Sequence, residues 1–281
     1  MRQSRNVDDR RGAPGGGFRM SPMGFGGGGF RGGGLGLGGL LVLLVLGWVM
    51  GVNPLQLLSG GGTIDPGPST TTPGDQPTDE GGAMVTRVLG DTEDFWTQQF
   101  SAAGGAYPPP VLVLFSEATQ SACGLGQAAM GPFYCPRDRQ VYIDMSFFRD
   151  LDRRFGAPGD FAQAYVVAHE VGHHIQNVLG LLGQNPRVSR TDANQQSVQQ
   201  ELQADCLAGM WGRSAAQRNL LEMGDVEEGL TAAAAIGDDR IQKQTQGRVV
   251  PESFTHGSSA QRVAAFRQGL DSADMRGCGI R

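Results

Sequence analysis

The sequence predicts an α+β domain, mostly helical with a small β-sheet, preceded by one transmembrane helix. Three observations lead there. Short apolar runs of strand type, Val111–Phe115 and Gln140–Ile143, come before a series of helix-type segments. A largely apolar helical stretch from about Asp160 to Val178 carries three of the chain's four histidines within six residues. An uncharged apolar run of 18 residues, 35–52, lies upstream of both.

Residues 1–34 are Gly-rich, with Arg2, Arg5, Arg10, Arg11, Arg19 and Arg31 opposed only by Asp8 and Asp9. So few apolar groups cannot offset the entropy of ordering, and a disordered tail is expected. Residues 35–52 are long enough to span a bilayer and are read as a single anchor, with Trp48 suited to an interface. No small-x-small cleavage site follows the run and no cysteine lies close behind it, which argues against a signal peptide or a lipid anchor. Arginines precede the run and acidic residues follow, so a single-pass cell-membrane protein is expected, with a cytoplasmic N-terminus and the remainder outside. Residues 53–82, with Pro54, Pro66, Pro68, Pro73 and Pro77 among Gly, Thr and Ser, read as a linker. Residues 83–281 form the domain. A net charge of −5 supplies no overall basic field for nucleic acid, and no such partner is expected.

Within the domain, Val85, Val88, Leu89, Phe95, Trp96 and Phe100 mark an amphipathic helix over 84–102, stopped by Pro108–Pro110. Val111–Phe115 is a strand, 121–131 a small, Gly-rich loop. Phe133–Tyr134 and Gln140–Ile143 are strands about a turn at 136–139. Pro158 and Asp160 start the histidine-bearing helix and Gly180 ends it. Helices are then expected over 195–217, 225–246 and 258–268, the last capped by Ser258 or Ser259. The four cysteines contain no C-x-x-C pair, which argues for disulfides rather than a cysteine metal site. A Cys123–Cys135 bridge would brace the strand beside it, leaving Cys206 and Cys278 as the second pair.

The chemistry lies in His169-Glu170-Val171-Gly172-His173. Residues four apart share a helix face, so His169 and His173 can bind one metal ion, with Glu170 beside it as general base. Zinc is the cofactor this H-E-x-x-H motif points to. A catalytic zinc takes three protein ligands, and the third is sought among Glu201, His174, His256, Asp192 and Asp205. His174 points about 100° away from His173. Glu201 is favoured because its helix offers Asp205 one turn on, suited to hold the far nitrogen of His169. Such a centre hydrolyses amides: zinc-activated water attacks a carbonyl, Glu170 carries the proton to the leaving amine, and a donor stabilises the oxyanion. His256 is the candidate donor, with Tyr134 or Tyr142 as runners-up.

H-E-V-G-H-H-I-Q at 169–176, E-L-Q-A-D-C at 201–206 and T-H-G-S-S at 255–259 with Gln261-Arg262 resemble the putative neutral zinc metallopeptidase family of bacteria. Gly131–Pro136, Val141–Asp144 and Gly237–Arg240 fit the same resemblance, which runs from about the membrane segment to the C-terminus. H-E-x-x-H with E-x-x-x-D is similar to the gluzincins, the thermolysin-like zinc peptidases. The resemblance implies a zincin-like domain, Glu201 as third ligand and Asp205 as its supporting carboxylate. The 28-residue gap from His173 to Glu201 is longer than in thermolysin-like enzymes, and Leu181–Asn194 supplies the excursion.

The expected function is a membrane-anchored zinc-dependent endopeptidase acting on peptide or protein substrates outside the cytoplasm. The strand near Phe133–Tyr134 could bind an extended substrate through its backbone. The competing readings are a non-catalytic, zinc-stabilised envelope scaffold that binds proteins or peptides, and an amidase of cell-wall peptides. Glu170 favours the enzyme, because a purely structural site needs no base.

Overall fold

The computed structural model describes residues 1–11, 76–183 and 189–280. Its strands are β1 (Val7–Asp9), β2 (Val111–Phe115), β3 (Ala118–Ser121), β4 (Gly124–Gln127), β5 (Phe133–Cys135) and β6 (Gln140–Asp144). Its helices are α1 (Glu80–Ala102), α2 (Ser146–Arg153), α3 (Asp160–Val178), α4 (Arg190–Gln217), α5 (Asp225–Ala235), α6 (Asp238–Gln246) and α7 (Ser259–Asp271). The architecture is α+β and mostly helical, as the sequence predicts.

The main sheet has the order β1-β2-β6-β5. β2 is parallel to both β1 and β6, whereas β5 runs antiparallel to β6 at the edge. The continuous apolar run of β2 suits an inner parallel strand covered on both faces, and Leu112, Val113 and Leu114 are fully buried. β3 and β4 pair as a separate hairpin where the sequence predicts a loop. Their short, Gly-rich segments lack the apolar alternation that signals strands, but a backbone hydrogen bond from Ala122 to Asp138 and the Cys123–Cys135 disulfide fasten the turn. The second disulfide joins Cys206 to Cys278, so both expected pairings form.

α3 is the central helix. Phe161, Tyr165, Val167, Val171 and Ile175 are all buried, and the helix packs against α1, α4, α5 and the strands β5 and β6. A helix apolar on nearly every side belongs in such a position. Asp79 caps α1 and Ser258 caps α7, where Gln261 completes a capping box. The helix predicted over 225–246 is two helices. Asp238 and Asp239 turn their carboxylates onto backbone N–H groups of 255–257 and of Ser259, anchoring that loop at the start of α6. α2 falls where no element was expected; Phe147, Phe148 and Leu151 have helical spacing, but over only eight residues.

The N-terminus departs most from expectation. Where the sequence predicts the beginning of a disordered tail, β1 extends the domain sheet, with Val7 buried. Glu93, only 4% exposed, accepts hydrogen bonds from Arg2, Ser4 and Asn6. Gln76 donates to the backbone of Ser4, and α1 begins at Glu80, so the domain starts ahead of residue 83. The expected anchor, 35–52, and the linker up to residue 75 lie outside the described residues. Among the described residues no helix is long and apolar enough to cross a membrane. The expected topology, one crossing with the N-terminus cytoplasmic and the domain outside, is overturned. A single crossing would separate residues 1–11 from the domain, yet β1 and β2 are hydrogen-bonded neighbours in one sheet.

Deleting residues 1–11 removes β1 and strips a buried carboxylate of its donors. The folding stability of the truncated chain is expected to fall by about 3 kcal/mol or more. Denaturant unfolding measures it, and an unchanged midpoint would contradict the assigned role of the strand.

Candidate metal centre

α3 and α4 cross at Gly172. A Cβ on that residue would lie 2.8 Å from the Ala204 carbonyl oxygen, so the residue must be glycine for the helices to approach this closely. Glu201 and Asp205 flank Ala204 and are thereby brought against the histidine face of α3. The Nε2 atoms of His169 and His173 lie 3.2 and 3.4 Å from the two carboxylate oxygens of Glu201. One ligating atom from each of these three residues lies within 4.8 Å of the others.

Both imidazoles are held from behind. His169 Nδ1 is 2.8 Å from Asp205 Oδ1, and His173 Nδ1 is 2.9 Å from Gln176 Oε1. Protons placed on the Nδ1 atoms leave both Nε2 lone pairs facing Glu201, the tautomer a metal requires. Gln176 is itself fixed, donating through Nε2 to the Gln200 carbonyl and to Gln203 Oε1. Asp205 is fully buried and also bonded by Tyr165 and Arg262. Burial opposes its charge, but Arg262 and His169 outweigh burial and hold the carboxyl at about 2. Burial likewise opposes charge on both histidines, yet the neighbouring carboxylates pull the pKa of each upward. The pocket therefore favours positive charge between these ligands, and two imidazoles with one carboxylate are a donor set that zinc takes readily. The residues fit the ion.

Glu170, also buried, follows His169 on α3 and feels the charges of His169, His173 and Glu201. Burial raises its pKa, the direction that makes a carboxylate a better proton acceptor. No described residue hydrogen-bonds its carboxylate, which leaves its lone pairs available.

The other candidates are engaged elsewhere. His174 Nε2 is 2.6 Å from the Pro108 carbonyl and donates to it, so Nδ1 accepts from the Tyr134 hydroxyl at 3.0 Å. Asn177 also donates to Tyr134. These bonds clasp the edge strand β5 to α3 and commit the Tyr134 hydroxyl. Tyr142 bonds Asp138 and Gln140 within the sheet region, and Asp192 bonds Ser189 at the exposed start of α4. His256 lies in the loop before α7. That loop packs at Gly257 against Val198 and Leu202 of α4, and the charges of Glu201 and Arg262 act on His256. Its side chain is 52% exposed, and its Nδ1 lies 3.2 Å from Asp238 Oδ1. Sequence reasoning had not singled out Gln176, Tyr165, Arg262 or Asp238 as site residues. Two left a signal: Tyr165 precedes His169 by four and Gln176 follows His173 by three, spacings that put each beside its histidine.

A family model described as putative neutral zinc metallopeptidase matches residues 1–280. The chain is 48% identical to a protein of Escherichia coli K12, "Uncharacterized protein YpfJ", over 99% of this chain and 96% of that one. It is 44% identical to "Uncharacterized protein Rv2575" of Mycobacterium tuberculosis H37Rv, over 61% of this chain and 62% of the other. No solved structure matches it.

Replacing Gln176 by Ala is expected to weaken zinc binding roughly tenfold or more, since such supporting partners typically contribute that much. Chelator competition measures it, and an unchanged affinity would remove Gln176 from the site. His174 yields a pH prediction. Burial lowers its pKa to about 4. The unfolded chain therefore binds its proton first, near pH 6.5. The stability this residue contributes is present above that pH and is lost as pH falls through about 4, up to about 3 kcal/mol in all. In zinc-free protein, His174→Gln should flatten the stability profile across that window; parallel profiles would refute the prediction.

Proposed function

The chain belongs to the putative neutral zinc metallopeptidase family, and from that premise we propose a zinc-dependent endopeptidase that binds its metal through His169, His173 and Glu201. The observation that carries this reading is the convergence of those three ligating atoms within 4.8 Å, beside a buried glutamate with free lone pairs. Zinc, when bound, supplies Lewis acidity that acidifies water towards a pKa of roughly 7 and polarises a carbonyl.

The chain's own residues do the rest. Asp205 and Gln176 hold the two imidazoles by their Nδ1 atoms, so that the Nε2 atoms stay directed at the ion. Glu170 takes the proton from the attacking water onto a carboxylate oxygen and returns it to the amine nitrogen of the leaving peptide. The hydrogen bond to Asp238 raises the pKa of His256, and the imidazolium so favoured gives Nδ1–H to that carboxylate and can donate Nε2–H to the developing oxyanion. β5 is an edge strand, paired with β6 and with no other described strand, and Tyr134 ties it to α3. An extended peptide adding to its free edge would be bound through backbone hydrogen bonds, with little demand on its sequence. The antiparallel edge strand beside an H-E-x-x-H helix supports the zincin-like reading of the fold.

Purified full-length chain should carry about one zinc ion and cleave an unfolded protein such as casein. Glu170→Gln should keep the metal while cleavage falls by a factor of about 10²–10⁴. A variant as active as the wild type would sink the mechanism. Cleavage of peptidoglycan fragments with none of casein would favour the amidase, and metal without cleavage of either would favour a binding scaffold. His256→Ala should lower kcat by roughly 10²-fold with zinc content unchanged; wild-type kcat would exclude it as the oxyanion donor.

A further inference from the structure

We propose that Arg262 is a positioning residue of the metal centre: it fixes the carboxylate of Asp205 and, through it, the ring of His169. The inference rests on the ligand set proposed above.

Arg262 is 2% exposed, and arginine is almost never buried that deeply unless paired. Its partner is Asp205. Nε donates to Oδ2 at 2.8 Å and Nη2 donates to Oδ1 at 2.9 Å, the two-point fork that fixes a carboxylate in plane as well as in place. Asp205 Oδ1 then faces His169 Nδ1 at 2.8 Å, and the opposite ring nitrogen faces Glu201. Nη2 also donates to the Tyr165 hydroxyl at 3.1 Å, and Tyr165 in turn bonds Asp205. A rotation of the Asp205 carboxylate would break bonds to three side chains at once.

The arginine is carried to this point by α7, which crosses α4 at very short range. A Cβ on Gly269 would overlap the Cys206 carbonyl, and the Cys206–Cys278 disulfide ties the tail to the same turn of α4. Arg262 also shares its segment with His256, through the capped start of α7. Lysine offers a single ammonium and no planar fork, so it cannot hold both oxygens in this geometry.

If Arg262 were only an ion pair of the core, its loss would cost stability but leave folded protein binding zinc as before. The test measures zinc affinity by chelator competition on full-length R262K, R262Q, D205N and R262K/D205N. Circular dichroism and thermal unfolding of the zinc-free forms report folding separately. R262Q, which keeps an N–H donor without the charge, is read beside R262K, so that either variant, once folded, suffices. Roughly tenfold weaker zinc binding is expected in R262K or R262Q, with the double variant no weaker than D205N. Affinity within twofold of wild type in a folded Arg262 variant would overturn the proposal, as would losses that multiply in the double variant. A wild type that takes up no zinc would overturn the ligand set as well, whereas a zinc-binding wild type beside an unaffected variant overturns only the role of Arg262.

Discussion

At Gly172, α3 lies so close to the backbone of Ala204 that one added carbon would strike it. The approach distance decides what the side chains on either helix can do. His169 and His173 occupy one face of α3 by their spacing alone, but a ligand from α4 reaches them only because the helices touch along backbone. Glu201 and Asp205 sit on either side of that contact and divide the work. One carboxylate meets the Nε2 atoms in front and the other holds an Nδ1 behind. A bulkier residue at 172 would separate the helices and move both carboxylates together.

Once so many ionisable groups are packed out of water, each must be neutralised by a neighbour. Arg262 offsets Asp205, and the pocket between the histidines and Glu201 is left favouring a cation. The same rule operates away from the site. Asp91, a buried residue of α1, is held below its ordinary pKa: burial opposes its charge, but Arg218 and the indole N–H of Trp211 outweigh it. Glu93 is matched by Arg2, Ser4 and Asn6. Asp91, Glu93, Asp205 and Arg262 are thus fastenings between segments distant in sequence, joining elements that apolar packing alone would not orient.

What could be read in the sequence was local. The spacing of four in H-E-x-x-H and again from Glu201 to Asp205 follows from the helical period, so the histidine face and the acidic face were both visible before their contact was. The cysteine count pointed to two disulfides but allowed three pairings; the short Cys123–Cys135 spacing around one loop favoured the arrangement that forms. Arg262 was not legible, because an arginine on a mixed helix is ordinarily solvated, and nothing local shows that α7 turns this face inward. The break between α5 and α6 falls at Ile236-Gly237; an isolated glycine does not by itself end a helix, and the interaction that fixes the break reaches to residues 255–259. β1 was hidden for a related reason. Val-Asp-Asp in an Arg- and Gly-rich setting has no strand signal, and it is a strand because the edge of β2 is there to receive it.

That edge strand has a further consequence for chain connectivity. Arg11 and Asp79 form an ion pair at 2.6 Å, so the excursion between them leaves and rejoins the domain at nearly the same point. The two points at which residues 12–78 join the domain are thus held side by side by the domain's own contacts, an ion pair and a strand pairing. Insertions and deletions there should therefore disturb the domain little. A nick in it would cut the covalent path while leaving the short N-terminal fragment seated by its strand pairing and by Glu93, two pieces behaving as one folded unit.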